Sequence, residues 1–268
     1  MHFVDLKNNH TKPWKLLEEH PYYEAAKNQE DRMAAMRLVH HILNTPENLV
    51  QLKAISKIFS GSIIVPIHAL ESKGKNKIPG MLAEYIGIYT GLEVDNTIVQ
   101  SNRVFRTGND EWYRFAFRPA FEGKVSPGRK YILVDDVFAF GGSFNELRLH
   151  IEKNNGKVVY TAALSLGGHG DKIAPEPKVL KALIDKFQAD KVNSFLKEID
   201  IYGGNYKALT NPEAFALGRA PSLDEARNRI LTARQEGRSR MGSENAQKNE
   251  NKTPPITDQK IFRRRPSR

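Results

Sequence analysis

Cysteine is absent from the sequence of 268 residues. Its absence excludes a disulfide framework, a thiol nucleophile and a zinc site built on thiolates. It is compatible with a reducing compartment, and we expect a cytoplasmic protein. Long apolar runs are missing too, since none approaches the roughly 20 residues of a membrane-spanning helix. The first residues show no basic stretch followed by an apolar one, so a secretory signal and a membrane partner are not expected.

Acidic residues are fewer than basic ones: the sequence has 31 Asp and Glu and 41 Lys and Arg, which gives a net charge of +10. The excess is uneven: the last 32 residues carry nine basic and three acidic side chains. Such a tail either binds RNA, DNA or an anionic surface by releasing counterions or is a solvated end. The polar, proline-containing composition after Gly237 predicts disorder over residues 237–268.

Apolar spacing and turn residues divide the rest of the chain into three parts. Residues 1–60 are predicted to form a helical extension, with a helix start at Thr45 and Pro46. Residues 61–200 alternate short apolar strands with helices, which indicates an α/β fold with a mainly parallel sheet flanked by helices. Residues 201–236 are predicted to form a helical pair that ends near Glu236.

Within the 61–200 core, four apolar runs are the predicted strands: 62–67, 92–100, 131–134 and 157–166. Aromatic and basic residues alternate over 101–130, which we interpret as a mobile loop followed by a hairpin or an edge strand. Trp112, Phe115 and Phe117 either pack in that hairpin or a subunit interface, or stack on a base.

The strongest signal for chemistry lies between Tyr131 and Ser143. An apolar strand delivers Asp135 and Asp136 at its carboxyl edge, where open α/β sheets bind ligands. A Gly-Gly-Ser turn then enters a helix, whose first amides and dipole attract phosphate. Adjacent carboxylates suit sugar hydroxyls or hydrated magnesium. These features predict a ribose 5-phosphate site; the alternative is an acid pair that caps a neighbouring helix.

The same segment resembles the signature of the type I phosphoribosyltransferases, with four apolar residues, two acids, two glycines and a hydroxyl residue in order. Two positions depart from it. Phe138 stands where a small aliphatic residue is usual, and Phe140 stands where the family has threonine. A second segment, residues 71–74, resembles the pyrophosphate loop of adenine phosphoribosyltransferases; its alternative is an ordinary solvated loop. The resemblance covers about residues 61–168.

The resemblance implies magnesium-dependent transfer of a 5-phosphoribosyl group between pyrophosphate and a nitrogenous base, with a purine as the expected class. The substrates would be 5-phosphoribosyl 1-pyrophosphate (PRPP) or a nucleoside monophosphate. Asp135 and Asp136 would bind the ribose hydroxyls, support the cationic sugar and hold Mg²⁺ through the ligand or water. The 5-phosphate would be held by Ala139, Phe140, Gly141, Gly142 and Ser143. Pyrophosphate would be held by Glu71, Ser72, Lys73, Gly74 and Lys75. The catalytic set would be Asp135, Asp136 and Lys73, with Arg103 and Arg106 closing over pyrophosphate.

Other functions stay open. The protein is alternatively a non-catalytic regulator that binds PRPP or a nucleotide, or a nucleic-acid-associated protein that uses its basic tail. His68, directly after the first core strand, is either an acid or base or a structural residue. Residues 169–171 either contact a nucleobase or form a plain turn. A second copy of the chain is an open partner.

Overall fold

The computed structural model describes residues 2–5, 17–68, 70–71, 74–102, 104, 110–166 and 173–250, with the backbone alone at 2–5, 70–71, 74–75 and 240–250. The strands there are β1 (His2–Asp5), β2 (Ile63–Pro66), β3 (Leu70–Glu71), β4 (Gly74–Lys75), β5 (Glu93–Val94), β6 (Val99–Gln100), β7 (Phe121–Glu122), β8 (Lys130–Phe138) and β9 (Lys157–Leu166). The helices are α1 (Tyr23–Asn28), α2 (Arg32–Leu43), α3 (Pro46–Ile58), α4 (Ile78–Thr90), α5 (Glu111–Ala116), α6 (Gly142–Lys153), α7 (Pro177–Phe187), α8 (Ala189–Glu198), α9 (Asn211–Arg219) and α10 (Leu223–Glu250).

Five strands form one parallel sheet in the order β1-β9-β8-β2-β5. Its register sets Val65 of β2 beside Leu133 of β8, and Val134 of β8 beside Ala162 of β9. All four residues of β2 are buried, as are most residues of β8 and β9. Strands covered on both faces need apolar side chains on both, which explains their continuous apolar runs. The expected α/β class with a mainly parallel sheet is confirmed.

Helices cover both faces of this sheet. Helices α1 to α4 pack on one face, where Ile132 and Val134 of β8 join their apolar side chains. Helix α6 packs on the other face, against Tyr131 and Leu133. A third apolar cluster joins helices α7 to α10 to α5. The sheet edge that carries Asp135 and Asp136 therefore lies between two helical layers and beside the C-terminal helices.

Local signals for helix ends are confirmed. Thr45 caps α3 by accepting a hydrogen bond from the amide of Asn48. Thr210 and Glu213 form the reciprocal capping box at the start of α9. Gly91 ends α4 in the left-handed conformation, with φ of 70°. Each of these signals is encoded within a few residues, which is why the sequence alone predicts it.

The N-terminal segment is not wholly helical, and the prediction for residues 1–60 is wrong in that respect. Strand β1 pairs in parallel with β9, with His2 beside Tyr160. A strand of four residues is too short to show a period, and its partner lies far away in the sequence. Helices α1 to α3 share one apolar cluster with the sheet and are part of the core.

Residues 92–130 also differ from their prediction. In place of one strand over 92–100, β5 joins the main sheet and β6 pairs antiparallel with β7. In place of a loop and hairpin, residues 111–116 form α5, which Asp110 caps. Trp112 and Phe115 are three positions apart and both buried in the C-terminal cluster. That spacing is typical of a helix face, and the burial favours packing over base stacking.

The disorder predicted from Gly237 onward is wrong for residues 237–250, because α10 continues to Glu250. The prediction takes Gly237 as a helix end, but this residue is buried inside the helix. A Cβ there would lie 2.3 Å from Cε2 of Phe117 and 3.0 Å from Cε2 of Tyr113. Glycine thus allows α10 to pass close to α5 and the residue that follows it. Residues 251–268 lie outside the described residues.

Replacing Gly237 by alanine should lower the free energy of unfolding by about 1–3 kcal/mol, as overpacking does. Gly218 in α9 is a matched control, because a Cβ there meets nothing within 4 Å. Gly218→Ala should leave stability unchanged or raise it by up to about 1 kcal/mol through helix propensity. Urea unfolding followed by circular dichroism measures both variants. Equal effects at the two positions would contradict the close-approach role of Gly237.

Candidate functional site

Asp136 is the best-anchored side chain at the carboxyl end of β8. The ammonium Nζ of Lys27, on α1, lies 2.9 Å from Asp136 Oδ2, and Nδ2 of Asn76 lies 2.8 Å from the same oxygen. Oδ1 accepts a hydrogen bond of 2.9 Å from the amide of Val137. The side chains of Lys27 and Asp136 are only 14% and 7% exposed. The carboxylate is therefore one half of a buried salt bridge.

The docking of α1 beside the start of α4 brings these donors together. The amide of Lys77 donates to the carbonyl of Ala26 over 3.1 Å, which fixes the end of α1 next to the segment before α4. Asn76 Oδ1 accepts a hydrogen bond of 3.0 Å from the amide of Ile78, the first residue of α4. With its oxygen held there, the amide nitrogen of Asn76 faces Asp136. The sequence alone does not reveal either donor, since Lys27 lies 109 positions from Asp136 and belongs to no motif.

The two acids differ in their electrostatics. Burial and the neighbouring charge of Asp136 raise the pKa of Asp135 well above its usual value. For Asp136, burial acts in the same direction, but the ammonium of Lys27 and the hydrogen bonds from Lys27 and Asn76 outweigh it and lower the pKa. Asp136 is thus the ionised member of the pair, and Asp135 is the member that holds a proton more readily.

The turn after β8 reverses the chain into α6. Gly141 has φ of 75°, a conformation that a Cβ disfavours, and a Cβ there would lie 3.0 Å from the ring of Phe138. Helix α6 begins at Gly142, so the positive end of its dipole lies at the same sheet edge as the acid pair. Ala139 and Ser143 are both partly exposed on this turn. The predicted phosphate-binding residues are thus contiguous with the acids.

The two phenylalanines that depart from the phosphoribosyltransferase signature are packing residues. Phe138 is fully buried, with its ring centroid 5.7 Å from that of Phe144 on α6. Phe140 packs 5.9 Å from Phe115, and its carbonyl accepts a hydrogen bond of 2.9 Å from Oγ1 of Thr210. The turn is therefore attached to the sheet through one phenylalanine and to the C-terminal helices through the other.

A buried ionic cluster joins α6 to the C-terminal helices. Arg118 forms ion pairs with Glu146 of α6 and Glu213 of α9, the latter at 2.8 Å. Its guanidinium lies over the ring of Tyr202, 4.2 Å from the centroid. The hydroxyl of Tyr202 donates to Glu213 in turn. Glu213 is 1% exposed, so the cluster is a fixed cross-link between the site layer and the helices beside it.

A cavity of about 600 Å³ opens at the carboxyl ends of β2 and β5. Asn76, which holds Asp136, is part of its lining, and so are His68 and Asn96. His68 Nε2 lies 3.1 Å from Asn96 Oδ1, a contact that supports the structural interpretation of His68. The cavity thus shares a wall with the site of the acid pair.

The predicted pyrophosphate residues are described only in part. Glu71 and Gly74 are partners in the antiparallel pair β3-β4, with Lys75 next in β4, and only their backbone is described. The remaining predicted positions lie outside the described residues: Ser72, Lys73, Arg103, Arg106 and 169–171. Their proposed roles stay predictions.

The site fits magnesium only in part. Within the described ranges, no group of three or more His, Cys, Asp or Glu could hold a metal ion. Mg²⁺ is usually bound by one or two carboxylates together with substrate phosphates and water. Asp135 suits that arrangement. The carboxylate of Asp136 is already bonded to a cation, Lys27, so it does not suit direct coordination of Mg²⁺. The expected role of both acids, through the ligand or water, stays a prediction.

Comparison with known proteins gives one relative that matches most of this chain, but the match covers only about half of that relative. Protein TraN of Escherichia coli is 40% identical over 227 residues, which are 85% of this chain and 49% of TraN. An uncharacterized protein of Haemophilus influenzae is 32% identical over 139 residues, which are 50% of this chain and 29% of that protein. The chain spans about half the length, or less, of these curated relatives. No protein-family model matches it.

The solved structures that match the chain include adenine phosphoribosyltransferases, at low sequence identity. The enzyme of Rhodothermus marinus matches at a TM-score of 0.30 and 14% identity, over 46% of this chain and 82% of the enzyme. The enzyme of Saccharomyces cerevisiae matches at a TM-score of 0.32 and 13% identity, over 52% of this chain and 72% of the enzyme. Among the described helices, none is both long and apolar enough to cross a bilayer.

Proposed function

We propose that this protein binds a 5-phosphoribosyl group at the carboxyl edge of β8. The observation that carries the proposal is an acid pair followed, across the left-handed Gly141 turn, by the N-terminus of α6. In this proposal, Asp135 shares hydrogen bonds with the ribose hydroxyls and residues 139–143 hold the 5-phosphate. Asp136, fixed by Lys27 and Asn76, sets the position of its neighbour.

A second candidate function is catalysis by a phosphoribosyltransferase, which would move the 5-phosphoribosyl group between pyrophosphate and a nitrogenous base. The cavity beside Asn76 favours it, because it offers space for a leaving group next to the segment that ends in β4. Bound Mg²⁺ would supply charge to stabilise pyrophosphate. Asp135 would orient the ribose, and Lys73 would contact pyrophosphate in this proposal.

Calorimetric titration with ribose 5-phosphate, adenosine monophosphate (AMP) and PRPP tests the binding proposal. We expect Asp135→Ala to weaken ribose 5-phosphate binding at least about tenfold, the loss of one or two hydrogen bonds to the ligand. Asp185→Ala is the control, since Asp185 is exposed on α7 and pairs along the helix with Lys181. Failure of wild-type protein to bind any phosphoribosyl ligand would overturn the proposal.

Pyrophosphate release in the presence of PRPP, Mg²⁺ and purine bases separates the two candidates. Release that Asp135→Ala abolishes would support the transferase. Binding without release would leave a non-catalytic protein that binds a phosphoribosyl ligand. The nucleic-acid alternative depends mainly on the tail, of which residues 251–268 lie outside the described residues. That alternative, the second-copy partner and the cytoplasmic location stay predictions.

A further inference from the structure

The position of Lys27 bears on which phosphoribosyl ligand the site takes. Its ammonium and the amide of Asn76 both donate to one oxygen of Asp136, and the amide of Val137 donates to the other. The carboxylate is therefore surrounded by donors on both oxygens. Its charge is balanced by a cation that is itself 14% exposed and belongs to the folded chain.

A divalent cation and Lys27 would compete for the same carboxylate. A metal ion bound to Asp136 Oδ2 would lie within a few ångströms of the ammonium, where like charges repel strongly in a buried setting. The ammonium also balances the charge of Asp136, so that at most one negative charge is left at the pair to attract a metal ion. Of the two acids, Asp135 alone is left for a metal ion.

We propose that Lys27 takes the place of a divalent cation at the acid pair, so that the site binds an intact nucleoside 5'-monophosphate without metal. This inference rests on the proposed 5-phosphoribosyl site. A ribose diol needs only hydrogen-bonding oxygens, which the pair supplies. A pyrophosphate on the sugar brings charge that Mg²⁺ normally balances, and an acid pair partly neutralised by Lys27 attracts Mg²⁺ less. The same ammonium opposes the positive charge that builds up on the sugar during group transfer.

Calorimetry of the full chain with AMP, ribose 5-phosphate and PRPP, each in EDTA and in MgCl₂, tests the proposal. Wild-type protein should bind AMP with affinities that agree within about twofold in the two solutions, and should bind PRPP at least about tenfold more weakly than AMP. In EDTA, Lys27→Met should bind AMP at least about tenfold more weakly than wild type, and MgCl₂ should restore much of that loss.

Two matched variants keep the test decisive if Lys27→Met does not fold. Lys27→Arg keeps the cation and should stay independent of metal. Lys27→Met with Asp136→Asn replaces the ion pair by neutral side chains of similar shape, so MgCl₂ should not alter its AMP affinity. Wild-type AMP binding that needs MgCl₂, or PRPP binding tighter than AMP, would overturn the inference while leaving the phosphoribosyl site intact. Absence of binding for all three ligands in both solutions would instead remove the proposed function.

Discussion

Replacing Lys27 by methionine is expected to lower the free energy of unfolding by about 3–5 kcal/mol, the usual cost of removing one partner of a buried ion pair. The reason is the environment of Asp136, whose side chain is 7% exposed. Without the ammonium, Asn76 and the amide of Val137 remain as donors, but the charge has no counter-ion. Equilibrium urea unfolding of wild type and variant measures the difference.

Two further variants distinguish the effect of breaking the buried Lys27–Asp136 ion pair from the effect of losing any one lysine. Lys27→Met with Asp136→Asn should recover most of the stability, because no unpaired charge is left in the interior. Lys181→Met should cost less than about 1 kcal/mol, since its pair with Asp185 is exposed on both sides. A Lys27→Met variant as stable as Lys181→Met would show that Asp136 is not buried as an ion in solution.

The difference in the free energy of unfolding between wild type and Lys27→Met should also depend on pH. Lys27 lowers the pKa of Asp136 in the folded protein below its unfolded value, which is about 3.9 for an aspartate. That group therefore contributes stability above about pH 4, and the contribution is lost as pH falls through the folded pKa. The raised pKa of Asp135 acts in the opposite sense but is present in both proteins. Without the ammonium, burial raises the pKa of Asp136, so the gap between wild type and Lys27→Met should narrow as pH falls from the raised pKa of the variant to the lowered pKa of wild type.

Features that depend on contacts between neighbours in the sequence are predicted correctly, whereas features that depend on contacts between distant residues are not. The apolar strands, the capping residues Thr45 and Thr210, and Gly91 act on neighbours within a few positions. Each has a local energetic reason, so each is visible in the sequence. The α/β class follows from the same local patterns, because buried parallel strands need continuous apolar runs.

The same rule holds for the candidate site: its contiguous residues are predicted from the sequence, and its distant ones are not. Asp135, Asp136 and the glycine turn are contiguous, and the sequence alone predicts that they act together. The two donors on Asp136 are separated from it by 109 and 60 positions, and neither stands in a recognisable motif. Gly237 shows the converse error, because a residue that usually ends a helix here allows close packing on Phe117. Tertiary contacts decide in each case, and a single sequence does not reveal them.

Replacing Arg118 by methionine should lower the free energy of unfolding by about 3–5 kcal/mol as well. The guanidinium forms ion pairs with Glu146 and Glu213, and Glu213 is 1% exposed. Arg229→Met is the matched control: Arg229 pairs along α10 with Glu225, and both side chains are more than two-fifths exposed. The control should cost less than about 1 kcal/mol. Urea unfolding measures both, and equal costs would contradict the role of the cluster.

Arg118→Met should also weaken ribose 5-phosphate binding, although the arginine is not proposed to touch the ligand. Glu213 caps α9 through Thr210, and the hydroxyl of Thr210 bonds the carbonyl of Phe140 in the turn. Loss of Arg118 leaves Glu213 without its cation and thereby loosens the connection that holds the turn. Adding Glu213→Gln removes the unpaired charge and should restore part of the stability, whereas binding should stay weak. Recovery of both together would mean that charge, and not the position of the turn, links Arg118 to the site.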